Sequence, residues 1–137
     1  MSIYKNDEER LAREAEDYLK EYAVLRKLTE MRKYETDYFG KTKNTLDIEG
    51  DAMRLPGSDA QIRMKMFEIR RFVLSLGGCN EKLFLFYHYI HGESVSRCAE
   101  LMQMSRRSGF RLKKRALCFA GRKLRLYFEK NHLEIQN

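Results

Sequence analysis

Apolar side chains return at steps of three and four along this chain, and that period is the strongest constraint on what it can fold into. Leu11, Ala15, Tyr18, Tyr22, Leu25 and Leu28 form one such series; Ile62, Met66, Ile69, Val73 and Leu76 form another. Residues so spaced share one face of an α-helix, whereas a half-buried strand alternates by two. The first series predicts a helix over about 7–38, with Asp7, Glu8 and Glu9 placed to favour its positive N-terminal end. Its stripe is narrow, which leaves two roles open: a dimer seam, or packing on the chain's own C-terminal domain.

Breakers divide the rest. Gly40 ends the first period, and residues 41–60, KTKNTLDIEGDAMRLPGSDA, carry Asn44, Gly50, Pro56 and Gly57. That stretch reads as a linker, with a short turn near 46–53. A helix over 59–76 follows, capped by Ser58 or Asp59 and stopped by Gly77-Gly78. Asn80 is a suitable N-cap for the next, about 81–91, whose Leu83, Phe84, Phe86, Tyr87 and Ile90 predict a mostly buried helix. The methionines at 64, 66, 102 and 104 fall at helical spacing and read as core filler.

Several functions find no support. No apolar run approaches the ~20 residues a bilayer crossing needs, and Met1 to Glu9 contains no hydrophobic signal region. The expectation is a cytoplasmic protein without a membrane partner. Cys79, Cys98 and Cys118 are odd in number and widely spaced, which predicts reduced, partly buried thiols. His88 and His91 could join Cys79 or Cys98 on zinc only by inventing a further ligand. A His88–Cys98 dyad has no orienting third group, and no glycine-rich phosphate loop occurs. The chain therefore reads as no enzyme, without a metal or cofactor.

Charge is unevenly placed. Residues 1–40 carry eight Lys/Arg against ten Asp/Glu, while residues 92–137 carry eleven against four. Between Ser105 and Arg125 lie nine basic side chains and no acidic one. A basic block at one end is the footprint of a polyanion partner, although a solvated basic helix has the same composition.

The segment from Ser94, SVSRCAELMQMSRRSGFRLKKRALCFAGRKLRLYF, predicts two helices joined by a short turn. Val95, Cys98, Ala99 and Met102 belong to the first, and Ser105 caps the second. Ala99 lets the pair approach closely, while Met104 and Leu112 plug the angle between them. In a helix-turn-helix the start of the second helix enters the DNA major groove. Its outward residues are Ser105, Arg106, Arg107, Ser108, Phe110 and Arg111, with the arginines suited to guanine edges. Lys113, Lys114 and Arg115 lie further along, suited to phosphates. Phe110 has two readings, contact with a thymine methyl or a return to the core. The continuing stripe of Leu117, Ala120, Leu124 and Phe128 is expected to pack on the 59–76 helix, with a dimer interface as its alternative.

The phrase SVSRCAELMQMSRRSGFRLKKRAL, within about residues 80–120, resembles the helix-turn-helix of sigma-factor region 4. The layout of charged helix, Pro-Gly linker, helix and this module resembles small phage late-transcription regulators of the ArpU type. The resemblance implies binding to double-stranded DNA in a phage or mobile-element setting, with RNA polymerase as a further partner; the stripes of the N-terminal helix and of the tail leave a homodimer open. Two residues depart from its pattern. Gln103 stands where the turn carries glycine, and so must adopt the left-handed conformation. Gly109 stands where the second helix carries a β-branched residue; Met102, Met104 or Phe110 is expected to fill that space.

The resulting expectation is an all-α protein: a helical bundle with a C-terminal helix-turn-helix and an N-terminal amphipathic helix. Its parts are an N-terminal helix over 1–40, separable from the remainder, a linker over 41–58 and a DNA-binding domain over 59–137. The expected function is sequence-specific transcription regulation. Two other readings stand beside it: a DNA-packaging protein like phage small terminase subunits, which would form rings, and a protein–protein adaptor acting on RNA polymerase or a repressor.

Overall fold

The computed structural model describes residues 2–39 and 59–136, with side chains placed for 7–33 and 59–130. The expected linker lies outside the described residues. Every regular element among them is helical. In chain order these are α1 (Ser2–Phe39), α2 (Asp59–Leu74), α3 (Cys79–Leu85), α4 (Val95–Leu101) and α5 (Arg106–Gln136). A π-helical turn, Phe86–Ile90, continues α3.

One buried cluster draws on all five helices. From α1 it takes Ala15, Tyr18, Leu19, Tyr22 and Leu25, and Leu19 is fully enclosed. From α2 it takes Ile62, Ile69, Phe72 and Val73; from α5, Leu112, Ala116, Leu117, Ala120 and Leu124. Each large apolar side chain so enclosed contributes roughly 1.5–3 kcal/mol relative to exposure. The narrow stripe read from the sequence is thus widened by Leu19 on α1 and Phe72 on α2. Between the two roles open to the N-terminal helix, the structure shows packing on the chain's own C-terminal helices.

The expectation for the tail of α5 needs correcting. Its main partner is α1, not the 59–76 helix. Gly121 allows the approach: a Cβ placed there would run into the Leu11 backbone, lying 2.6 Å from its carbonyl carbon and closer still to its carbonyl oxygen. Ion pairs flank the crossing, with Glu14 bidentate on Arg125 (3.2 Å for each bond) and Glu8 on Arg122 (3.6 Å). The Arg125 hydrogen bonds hold the Glu14 carboxyl below its usual range. Contact between α5 and α2 is local, through the Tyr127 hydroxyl donating to Glu68 (3.2 Å) and the Tyr127 ring edge on Phe72.

Three further details differ from the sequence reading. α2 ends at Leu74, where the Ser75 hydroxyl donates to the Phe72 carbonyl (2.7 Å), and Leu76 is buried beyond the helix. α3 begins at Cys79 after an extended Gly78, so Asn80 lies inside the helix and does not cap it. The π turn shifts the buried face by a residue: Phe84, Leu85, Tyr89 and Ile90 are enclosed, Phe86 and Tyr87 are half-buried, and Leu83 is exposed.

Candidate nucleic-acid interface

The α4–α5 pair is built by local signals that can be followed residue by residue. Gly92 adopts φ +79° and turns the chain out of the π segment. The Ser94 hydroxyl then accepts the Arg97 amide (3.1 Å), which satisfies one of the orphan N–H groups opening α4. At the other end Gln103 adopts φ +58°. The Met104 amide donates to the Ala99 carbonyl (2.9 Å) and the Gln103 amide to Glu100 (3.0 Å). That is a Schellman closure with glutamine in the position glycine usually holds. One residue later the Ser105 hydroxyl accepts the Ser108 amide (3.1 Å) and starts α5.

Close approach of the two helices rests on a pair of small residues. A Cβ on the buried Gly109 would sit 3.1 Å from the Ala99 Cβ and 3.5 Å from Val95 Cγ1. The space left by the missing branched side chain is therefore filled by α4 itself. Phe110 does not fill it, since it turns outward and remains 47% exposed. Leu112 is buried beside Gly109, and Met104 is half-buried.

With Gly109, Leu112 and Ala116 turned inward, the 3.6-residue period puts Arg106, Arg107, Phe110, Arg111 and Lys114 on the opposite, exposed face. The Arg106 guanidinium lies over the Phe110 ring at 5.7 Å. Ser105 and Ser108 are exposed as well, but their hydroxyls engage each other and the cap. Two residues expected to face phosphate have acidic partners instead. Lys113 is partly covered and pairs with Glu16 of α1 (3.6 Å); Arg115 pairs with Glu81 of α3 (3.2 Å). Together with Arg122 and Arg125, four of the nine basic side chains in the acid-free stretch thus have acidic partners. Arg107, Arg111 and Lys114 form no ion pair among the described residues.

Glu16 organises the inner side of this helix. It accepts the Tyr89 hydroxyl (2.6 Å) and also meets Lys113 and Lys20. Burial pushes its carboxyl upward, but the Tyr89 hydrogen bond and the two lysines outweigh that and hold it below the ordinary carboxylate range. Burial and the Glu16 carboxylate together push the Tyr89 hydroxyl far up.

His88 and Cys98 come together at one acceptor. His88 Nδ1 lies 2.6 Å from the Glu93 carbonyl and the Cys98 thiol reaches the same oxygen at 3.9 Å. Burial lowers the His88 pKa and raises that of Cys98, the reverse of what activates a thiol for nucleophilic attack. The three cysteines are unpaired: Cys79 exposed, Cys98 buried and Cys118 between. No three His, Cys, Asp or Glu side chains converge as a metal set among the described residues, and none of the described helices is long and apolar enough to cross a membrane.

Comparison with protein-family models, with curated proteins and with solved structures finds no match to this chain.

Proposed function

We propose that this chain is a sequence-specific DNA-binding transcription regulator, with α4 and α5 acting as a helix-turn-helix. One observation carries the reading. Arg106, Arg107, Arg111 and Lys114 share one exposed face at the start of α5 and find no acidic partner among the described residues, whereas the flanking Lys113, partly covered, and Arg115, exposed, are paired with Glu16 of α1 and Glu81 of α3. A solvated basic helix has no need of such a division. In a DNA reader, the unpaired cations meet the duplex and the paired ones beside them secure the helix to its scaffold. The start of an α-helix fits the major groove, where arginine pairs bidentately with guanine and lysine serves as a point charge for phosphate. The sigma region 4-like phrase supports the same reading, and the likeness of the layout to phage late-transcription regulators favours a phage or mobile-element setting.

Selection of fragments of the encoding genome by the purified full chain tests the proposal, followed by titration of the enriched duplex. Arg107→Ala or Arg111→Ala should cost about 1–3 kcal/mol and relax preference at particular base pairs. Lys114→Ala should weaken all sequences alike. Failure to enrich any fragment would refute the proposal, and sequence-blind losses from all three variants would refute the assignment of the reading face.

A further inference from the structure

Phe110 is one of several large apolar side chains left exposed among the described residues, and the one that stands between Ser105 and Arg125, in the acid-free basic stretch. It is 47% exposed on the cationic face of α5, with Arg106, Arg107 and Arg111 as neighbours. The core side of the helix at this level is occupied by Gly109 and Leu112, so packing gives the ring no role. The Arg106 guanidinium lies over it at 5.7 Å. A cation over an aromatic face is attractive, and phenylalanine has few rotamers to lose, so this placement of the ring is favoured.

The major groove displays hydrogen-bonding groups on every base pair but just one apolar group, the C5 methyl of thymine. Phenylalanine neither donates nor accepts, so that methyl is the feature it can distinguish. Resting on the DNA-binding reading of α5, we propose that Phe110 is a specificity-determining residue that selects thymine, through its C5 methyl group, beside the guanines contacted by Arg107 and Arg111. The alternative use of an exposed ring, stacking on an unpaired base, needs an open aromatic platform in a groove that follows a single strand. Here the ring stands on a convex helix with one face under Arg106, which favours the duplex.

Two pools of duplexes with a random core test this, identical except that one carries uracil wherever the other carries thymine. The full chain and its Phe110→Ala and Phe110→Leu variants are each used for selection. The thymine pool should yield a motif with a fixed thymine within about two base pairs of a fixed guanine. Replacing that thymine alone by uracil should weaken binding about fourfold, the factor expected for burying one methyl group. Phe110→Ala should abolish the thymine–uracil difference while the guanines stay fixed, and Phe110→Leu should keep part of it. A motif with fixed guanines but no thymine–uracil difference, or a difference undiminished in Phe110→Ala, would overturn the inference and leave the DNA reading standing. Phe110-dependent binding that is tighter to single strands than to duplex would overturn it in favour of base stacking. No enrichment from either pool would defeat the DNA reading, and this inference with it.

Discussion

Replacing Gly121 by alanine sets two effects of opposite sign against each other. Gly121 lies well inside α5, where alanine is preferred over glycine by about 1 kcal/mol, so an isolated helix would gain. In the folded chain the new Cβ would overlap the Leu11 carbonyl group, with the carbonyl carbon 2.6 Å and the Leu11 Cβ 2.9 Å away. Comfortable carbon–carbon contact begins near 3.5 Å, so α1 must withdraw by about 1 Å at that point. The obstacle is backbone, which cannot swing aside as a side chain does, and Ala15 and Leu19 just beyond it are fully enclosed. Overpacking of this kind costs about 1–3 kcal/mol, occasionally more. We take the upper end, which leaves a net loss of about 2 kcal/mol after the gain in propensity. For a chain of this size that lowers Tm by roughly 6–8 °C. Thermal melts of the two proteins by circular dichroism read this directly. A Gly121→Ala variant that melts at or above the parent would refute the seating of α1 on α5, because propensity alone would then be acting.

At the other close approach, Gly109→Ala should be nearly neutral, its propensity gain offset by a methyl 3.1 Å from the Ala99 Cβ. Gly109→Val adds two further carbons at that contact and should lose about 1–3 kcal/mol in thermal melts; a Val variant more stable than the parent would show that the helices are not in contact there. The logarithm of the DNA association constant should fall with log salt at a slope no steeper than about −4.5, five unpaired cations at about −0.9 each. A slope near −8 would mean that Lys113, Arg115, Arg122 and Arg125 leave their acidic partners to contact phosphate. The Glu16 carboxyl is held below its usual range, so its contribution to stability is complete above the ordinary carboxylate pKa and is lost as pH falls through its folded value. Acid titration should therefore show the stability gap between parent and Glu16→Gln intact above the ordinary carboxylate value of 4.5 and closing as pH falls below it. A gap independent of pH would place the role of Glu16 elsewhere.

What the sequence disclosed followed the range of the interactions involved. Ser94, Gln103 and Ser105 act on backbone groups within five residues of themselves, so the caps and the turn of the α4–α5 pair could be read in advance. The outward set of α5 follows from the helical period alone. Pairings between distant parts of the chain could not be read. A linear count of charge showed nine cations without a local acid, yet Glu8, Glu14, Glu16 and Glu81 neutralise four of them from elsewhere in the chain. Gly121 carried a usable signal, a glycine deep within a helical period, but not the identity of its partner Leu11. The π turn at Phe86–Ile90 had no counterpart in spacing rules built on 3.6 residues per turn. Leu19 and Phe72 fell between the steps of three and four that defined each stripe, although both belong to the core.

Whether the start of α5 is the surface that meets DNA can be read by residue-resolved NMR of the full chain titrated with its selected duplex. Amide shifts should concentrate between Ser105 and Arg111 and extend to Lys114. The exposed face of α2, with Met64 and Phe67, should be left unmoved. Shifts centred on α2, or none along α5 while the duplex is bound, would contradict this placement of the DNA surface.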